Sequence, residues 1–373
     1  MNILILNWRD TKNPKKGGAE IVTLMHARAW VKAGHKVVWF ASRFDGGSKG
    51  EHISGVHIVR GGNALTVYLL APFFYLFSKQ KFDLVIDEIH GLPFFTPLYV
   101  KKPKIIFIHE VAREIWDYVY PFPVGVLGRF IESLYFKLYK NARFWTDADS
   151  TIDDLETFGI KRANCLAIPC PIMNKTLKVL PKKEEYETFI FVSRLVRMKG
   201  LEEVIKAFSI IQKEKKKAKL WIVGQGNKKY LIKLHKITKD LGIENKVKFF
   251  GYVNEKKKLE LMRKAHILLH TSVTEGWGLV VVEAASQATP SVVYNVSGLR
   301  DSVKNGETGV ILRENLPQTL AKEALLLSMD KKRYIQFQKN CLEWARSLKW
   351  ANVTRDSLRL IESCSENKAV EKI

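Results

Sequence analysis

The sequence predicts an α/β protein made of two doubly wound domains, each a parallel sheet covered by helices. Short runs of β-branched residues alternate with amphipathic stretches along the chain, which is the pattern expected of such sheets. The 373 residues also correspond to about two domains of ordinary size. Around Pro169 and Pro171 the pattern lapses into a polar segment that is typical of a linker between domains.

The first half of the chain repeats the alternation clearly. ILILNW (3–8) predicts a buried strand, and AEIVTLMHARAWVKAG (19–34) predicts a helix that ends at Gly34. Further strands are predicted at KVVWFAS, VHIVRGG, DLVIDE, KIIFIHE and RFWTDADS. The first domain is therefore expected to span residues 1–170.

The second half, residues 171–346, repeats the pattern after the linker. Its strands are predicted at TFIFVSRL, KLWIVG, KVKFFG, HILLHTS, PSVVYNV and TGVILRE, with helices between them. Helical patterns continue from about 316 to 361, and the polar tail SENKAVEKI (365–373) is expected to fray. Ligands of doubly wound sheets bind at the carboxyl ends of the strands, so the strand-to-helix loops should carry the chemistry, in a cleft that the two domains face.

The charge and composition limit the classes of partner. The net charge of +23 favours anionic partners such as nucleotide phosphates, anionic lipids or nucleic acid. Nucleic acid is not expected, because no face of clustered aromatic residues for binding single strands is apparent. The four cysteines form no C-x-x-C pair, which argues against a zinc site and favours a reducing compartment. No secretory signal is apparent, so we expect a cytoplasmic protein.

A glycine pair lies in the first strand-to-helix loop. Gly17 and Gly18 stand just before the predicted helix, where free backbone N–H groups and the helix dipole favour a phosphate. The alternative is that these glycines only make a flexible turn.

Two basic residues lie in the corresponding loop of the second domain. In SRLVRMKG, Arg194 and Lys199 precede Gly200 at a helix N-terminus, and their charges suit a diphosphate. They would neutralise a leaving diphosphate without a metal. The alternative is a pair of solvated surface bases.

Two glutamates lie in the segment HTSVTEGWGLVVVEAAS. Glu275 and Glu283 are eight positions apart, so on one helix they would be about 80° and about 12 Å apart. They are therefore expected to serve different parts of an elongated ligand. A carboxylate among buried valines needs hydrogen-bond donors, which ribose hydroxyls would supply for Glu283. The alternative is that Glu283 faces solvent.

Five sequence elements together resemble one family of enzymes. They are the GGAE loop, SRL-x-x-x-KG, the E-x7-E spacing in TEGWGLVVVE with A-x-x-x-x-P-S-V-V after it, SGLRDSV and NGETG. In this order they resemble the retaining glycosyltransferases of family 4, which have the GT-B fold. The resemblance covers nearly the whole chain, from the first loop to about Val310.

The resemblance implies a role for each residue that matches. Glu275 would contact the donor sugar and Glu283 the ribose, while Arg194 and Lys199 would hold the diphosphate and stabilise its departing charge. The remaining donor-binding positions are implied to be Gly17, Gly18, Gly276, Trp277, Gly278 and Leu279. His109 would lie near the anomeric carbon, although it too has an alternative role as a satisfied strand-end histidine. Many relatives have Asp after this histidine, and Glu110 departs from that pattern.

The implied reaction is the retaining transfer of a hexose-type sugar without a cofactor or metal. The donor would be a UDP-type or GDP-type sugar, and the acceptor a hydroxyl on a lipid-linked molecule or a growing glycan. Such chemistry depends on positioning and on stabilising the leaving group. The fold also implies that a C-terminal helix, about residues 347–373, packs back on the first domain. Two alternatives remain, a nucleotide-sugar isomerase or hydrolase of the same fold and a non-catalytic protein that binds anionic membranes.

Two apolar segments of the first domain suggest peripheral contact with an anionic membrane. The run from Ala64 to Phe77 contains Pro72 and, at 14 residues, is too short to span a bilayer. The segment VGVLGRFIESLYFKLYK has helical spacing. Its apolar side contains Phe130, Ile131, Leu134 and Leu138, its polar side contains Arg129, Glu132, Lys137 and Lys140, and Phe136 fits neither. The alternative is that both apolar stripes pack on the sheet.

Overall fold

The structure is a computed structural model, described here for residues 1–365. Ser365 ends the last helix, and the rest of the tail that was predicted to fray lies outside the described residues. The chain forms two compact units, Met1–Cys170 together with the chain from Lys349 onward, and Pro171–Leu348. Each unit is an α/β domain built on one main sheet.

Unit 1 contains an eight-stranded sheet in the order β3-β4-β2-β1-β5-β6-β7-β8. All neighbouring strands are parallel except β3, which is antiparallel to β4. The strands are β1 (Asn2–Leu6), β2 (Lys36–Ala41), β3 (Gly50–Ile53), β4 (Val56–Arg60), β5 (Leu84–Ile89), β6 (Lys104–Ile108), β7 (Arg143–Thr146) and β8 (Cys165–Ala167). The helices are α1 (Gly18–Lys32), α2 (Thr66–Phe77), α3 (Ile115–Val119), α4 (Val124–Leu138), α5 (Asp149–Glu156) and, at the end of the chain, α13 (Trp350–Ser365).

Unit 2 contains a six-stranded parallel sheet in the order β11-β10-β9-β12-β13-β14. The strands are β9 (Thr188–Val192), β10 (Lys219–Val223), β11 (Val247–Gly251), β12 (Ile267–His270), β13 (Ser291–Val293) and β14 (Gly309–Ile311). The helices are α6 (Leu201–Glu214), α7 (Lys228–Asp240), α8 (Glu255–Lys264), α9 (Leu279–Ser286), α10 (Leu299–Ser302), α11 (Pro317–Met329) and α12 (Lys331–Ser347). Strands that read as continuous apolar runs are buried on both faces, as parallel strands require.

The helices of unit 1 cover both faces of its sheet. α2 and α4 share one face, where they pack on alternate residues of the central strands, such as Leu4 and Ile106. On the opposite face, His26 and Trp30 of α1 contact the ring of Trp145 in β7. α13 packs on α1 at this face. The strand ends that carry the polar loops therefore lie between two helical layers.

The apolar side predicted for α4 faces outward, so the alternative that this stripe packs on the sheet is wrong. Phe130 is 60% exposed and Leu138 is 46% exposed. Glu132, predicted on the polar side, is buried and accepts hydrogen bonds from the backbone N–H groups of Ala112 and Arg113. The sheet is instead contacted by Tyr135, Phe136 and Tyr139.

No helix among residues 1–365 is both long and apolar enough to cross a bilayer.

Candidate functional site

Three buried side chains meet at the carboxyl ends of β5, β6 and β7. Glu88 lies near the end of β5, while His109 and Asp147 directly follow β6 and β7. The imidazole of His109 lies between the two carboxylates, with Nε2 3.2 Å from Glu88 Oε1 and Nδ1 2.5 Å from Asp147 Oδ2. The three groups come from distant parts of the chain and meet because parallel strands end at the same edge.

The carboxylates favour a charged imidazole at His109. Burial opposes the charge on this ring, but Asp147 and Glu88 outweigh that effect and raise the pKa of His109 above its usual value. In turn, His109 and His90 lower the pKa of Glu88 although burial of that carboxylate acts in the opposite direction. Both ring nitrogens of His109 have carboxylate partners, which fixes the orientation of the ring. This arrangement also fits the alternative of a satisfied strand-end histidine.

Glu20 organises the glycine loop at the start of α1. Its carboxylate accepts a hydrogen bond from Gly17 N–H over 2.6 Å and pairs with the Arg9 guanidinium at 2.7 Å. The Gly17 N–H, expected to be free for a phosphate, therefore has a protein partner, while Gly18 begins the helix. Thr23 Oγ1 donates to Glu88 over 3.0 Å, which connects the first turns of α1 to the His109 cluster.

Part of this cluster has the composition of a metal site. Ligand atoms of Glu88, His90 and His109 all lie within 4.8 Å of one another. Imidazole nitrogens with a carboxylate oxygen are ligands that zinc and related ions accept. The expectation of metal-free chemistry therefore stays a prediction.

In unit 2, a buried ion pair joins two predicted residues. Lys199 Nζ lies 2.6 Å from Glu275 Oε1, and the same oxygen contacts His270 Nε2 at 2.9 Å and Ser272 Oγ at 2.7 Å. Burial alone would raise the pKa of Glu275, but Lys199 and His270 hold that pKa far below its usual value. Glu275 is therefore a fixed carboxylate, and Lys199 keeps further N–H donors for a ligand.

Two glycines permit this pair to form. Gly200 has φ +70°, and a Cβ there would lie 2.1 Å from the carbonyl oxygen of Thr271. Gly298 has φ +77°, and a Cβ there would lie 2.1 Å from the carbonyl oxygen of Glu275. Any larger residue at these positions would push the two neighbouring backbone segments apart. The two glycines therefore permit a close approach of the backbone segments next to Lys199 and Glu275.

The other predicted residues of unit 2 lie around α9. Trp277 and Gly278 are buried, Gly276 is half-buried, and Leu279 begins the helix at the Gly278 N-cap. Within the described chain, Nε1 of Trp277 is buried without a hydrogen-bond partner.

Glu283 lies on α9 and pairs with Lys258 of α8. The Lys258 Nζ to Glu283 Oε2 distance is 2.7 Å, and each side chain is 19% exposed. Burial raises the pKa of Glu283, and Lys258 opposes this effect. Glu283 is thus a partly buried, ion-paired carboxylate and not a solvated surface group. Arg194 is exposed, and within residues 1–365 its guanidinium forms no hydrogen bond or ion pair.

In each unit, only some of the predicted site residues lie in contact with one another. Lys199 and Glu275 are in contact, whereas Glu283 and Arg194 belong to neither that pair nor its network. The sequence analysis missed the residues that complete the two clusters, and it also missed Lys258, the partner of Glu283. The missed cluster residues are Glu20, Glu88, His90, Asp147, His270 and Ser272. For three of them a signal existed, because Glu88, Asp147 and His270 stand at the carboxyl ends of predicted strands.

Two family models match adjoining parts of the chain. Residues 16–173 match Glycosyltransferase Family 4, and residues 173–344 match Glycosyl transferases group 1. The sequence is 29% identical over 188 residues to an uncharacterized glycosyltransferase of Methanocaldococcus jannaschii, an overlap of 49% of this chain and 47% of that protein. The chain spans about half the length, or less, of the first curated relatives it matches.

Solved structures resemble the whole described fold. Sucrose-phosphate synthase from Thermosynechococcus elongatus matches with a TM-score of 0.80 and 17% identity, over 98% of this chain and 100% of that one. HepE from Anabaena, solved in complex with UDP-glucose, matches with a TM-score of 0.73 and 16% identity, over 97% of this chain and 100% of that one. These likenesses confirm the predicted fold class, GT-B with two Rossmann-like domains.

Proposed function

We propose that this chain transfers a hexose-type sugar from a nucleotide-diphosphate sugar to a hydroxyl acceptor. The premise is that the chain belongs to the family 4 glycosyltransferases, and that its carboxyl-terminal half matches the glycosyl transferases group 1. The observation that carries the proposal is the Lys199–Glu275–His270 network beside the start of α9. A fixed carboxylate for sugar hydroxyls and an ammonium for phosphate stand side by side in one loop cluster. The acceptor is a lipid-linked molecule or a growing glycan.

The proposed chemistry is retaining and needs no metal. Lys199 and the guanidinium of Arg194 stabilise the departing diphosphate. Their hydrogen bonds to its oxygens are charge-assisted and therefore stronger than hydrogen bonds between neutral groups. Glu275 accepts from sugar hydroxyls, because its carboxylate is held ionised. Glu283 accepts from the ribose hydroxyls in exchange for part of its contact with Lys258. For His109 we propose a role at the anomeric carbon, supported by the fixed orientation of its ring and by the two carboxylates that raise its pKa.

Nucleotide binding is the first test. We measure thermal shifts of the wild type and of Glu283→Ala with UDP, GDP, ADP and dTDP, each with and without EDTA. A ligand at 100 times its Kd adds about 2.7 kcal/mol to the free energy of unfolding, which such a scan detects. We expect UDP or GDP to stabilise the wild type equally in EDTA, and to stabilise Glu283→Ala much less.

Glu255→Ala is the matched control for this test. It removes the other carboxylate that pairs with Lys258, at 3.0 Å, but is 61% exposed. We expect its nucleotide response to equal that of the wild type. Equal affinity in Glu283→Ala would remove Glu283 from the site, and loss of binding or turnover in EDTA would defeat the metal-free proposal.

Peripheral contact with an anionic membrane is the second part of the proposal. Its support is the outward apolar side of α4, together with three exposed residues of α2, the helix that packs on the same face of the sheet: Leu69, Phe73 and Phe77. Leu69 is 70%, Phe73 60% and Phe77 78% exposed. Helices that combine an exposed apolar side with basic residues bind the surface of anionic membranes, and the net charge of +23 adds to that attraction.

Liposome flotation tests the membrane contact. The variant Phe130→Ser/Leu134→Ser should float less than the wild type with anionic liposomes at low salt, because it removes exposed apolar area from α4. Ile232→Ser, at a residue of α7 that is 61% exposed, is the control and should float like the wild type. Absence of wild-type flotation at low salt would end this part of the proposal.

A further inference from the structure

A basic pocket of about 470 Å³ lies in unit 1, away from the candidate site. It is formed where the segment after β5 enters β6 and where the chain after α4 enters β7. Its volume lies in the range of small-molecule sites in proteins. The lining residues are Pro97, Lys101, Lys102, Pro103, Lys104, Leu138, Asn141, Ala142, Arg143 and Cys364.

The pocket lies at the amino-terminal edge of the sheet. Lys104 and Arg143 are the first residues of β6 and β7, whereas His109 and Asp147 follow the last residues of the same strands. Five residues of extended chain separate the two edges by about 16 Å. A ligand in this pocket therefore does not occupy the His109 cluster.

The positive charge of the pocket lining favours an anionic ligand. Its lining contains three lysines and one arginine, and no carboxylate belongs to that lining among the described residues. Lys101, Lys102 and Lys104 form no ion pair within residues 1–365, and burial lowers the pKa of Lys104. The Arg143 guanidinium is oriented by Ser363 Oγ at 3.3 Å and Cys364 Sγ at 3.2 Å.

The pocket adjoins the exposed apolar face of α4. Leu138 belongs to that face and also lines the pocket. Leu98, next to Pro97 of the lining, is 68% exposed. α4 connects β6 to β7, so it runs from the carboxyl edge of the sheet back to the edge with the pocket. An amphiphile with an anionic head therefore finds a basic pocket and an apolar surface side by side.

We propose that this pocket binds the phosphate of an anionic phospholipid headgroup, with the acyl chains along the apolar side of α4. The inference rests on the membrane contact proposed above and adds a specific site to it. A second copy of this chain is a poor occupant, because two chains of charge +23 repel each other. Within the pocket, the phosphodiester accepts charge-assisted hydrogen bonds from the lysines and the arginine.

The test compares two variants that lose the same charge. Lys101→Gln/Lys102→Gln alters the pocket, and Lys213→Gln/Lys216→Gln removes two exposed lysines of unit 2. Binding of each protein is measured by cosedimentation with vesicles of phosphatidylcholine containing phosphatidylglycerol and with vesicles of phosphatidylcholine alone. We expect the pocket variant to bind the anionic vesicles about tenfold less tightly than the control variant does. Equal losses in the two variants would mean diffuse charge attraction and would overturn the site.

Soluble probes distinguish a lipid from a free phosphate. Short-chain dihexanoyl phosphatidylglycerol, below its micellar concentration, should stabilise the wild type thermally and the pocket variant much less. If inorganic phosphate or UDP competes with this lipid at equal concentration, the pocket is a general phosphate site and the lipid assignment is wrong.

Failure of this inference and failure of the proposed transfer are separable. The pocket variant should keep the wild-type thermal shift with UDP or GDP, because the pocket is at the other edge of the sheet. Normal nucleotide binding without a lipid effect contradicts only the pocket. Normal lipid binding without any nucleotide response contradicts only the transfer.

Discussion

At the scale of single residues, the buried Lys199–Glu275 pair is the most informative contact. A buried carboxylate is unfavourable unless it is paired and hydrogen-bonded, and Glu275 has Lys199, His270 and Ser272 around one oxygen. The pair depends on the absence of a side chain at Gly200, which lets the two loops approach. These contacts therefore hold the Glu275 carboxylate in its charged form.

Breaking this pair should destabilise unit 2. Lys199→Met leaves Glu275 buried without its ammonium, so we expect the free energy of unfolding to fall by about 3 kcal/mol. Glu275→Gln should also destabilise, while the double variant should lose at least 1 kcal/mol less than the sum of the two single losses. Urea unfolding of all four proteins checks the cycle. Strictly additive losses would show that the two side chains do not interact in solution.

At the scale of elements, α4 shows how local chemistry reverses the orientation that amphipathicity suggests. Glu132 closes the loop after β6 by accepting from two backbone N–H groups. On the same side of the helix, Gly128 lets α4 approach Trp116, since a Cβ would lie 2.4 Å from the Trp116 ring. Tyr139 extends from the end of the helix to Asp87, and its hydroxyl donates a hydrogen bond to Asp87 Oδ2 over 2.8 Å. These polar and small residues, and not the leucines, determine which side faces the sheet.

This orientation predicts an unusual mutational pattern. Glu132→Ala should lower the free energy of unfolding by about 2 kcal/mol, because it leaves two backbone N–H groups unsatisfied. Leu127→Ala, on the exposed side, should change it by no more than about 0.5 kcal/mol. Urea denaturation followed by circular dichroism measures both. The opposite order of losses would mean that the apolar side packs on the sheet after all.

At the scale of the whole molecule, α13 returns to pack on the first unit. Ser357 of α13 contacts His26 Nδ1 at 2.8 Å and accepts from Trp30 Nε1 at 3.1 Å, both on α1. His26 is fully buried among aromatic rings, and burial lowers its pKa to about 3. The imidazole is therefore neutral where α13 packs on α1.

The buried histidine predicts a loss of stability in mild acid. Because the folded pKa of His26 is below its ordinary value of 6.5, its contribution is complete above pH 6.5 and is lost as the pH falls towards 3. Between pH 6.5 and 5 this amounts to roughly 1.5 kcal/mol. In His26→Phe, we expect the change in the free energy of unfolding between pH 6.5 and 5, measured with urea, to be smaller by that amount. If the larger ring does not fit, His26→Gln takes its place. Parallel pH profiles of wild type and variant would contradict a neutral, buried His26.

The sequence by itself determined the two doubly wound sheets, because apolar periodicity and strand length depend on neighbouring residues alone. It also pointed to Lys199, Glu275 and Glu283, because these stand beside glycines and helix starts whose spacing is local. Only the tertiary structure decided their partners: His270 for Glu275, Lys258 for Glu283, and Glu88 with Asp147 around His109. It also decided that the apolar side of α4 faces outward. The physical reason is that ion pairing and burial depend on which strand ends and helix faces meet in space, and residues such as Glu88 and Asp147 are far apart along the chain.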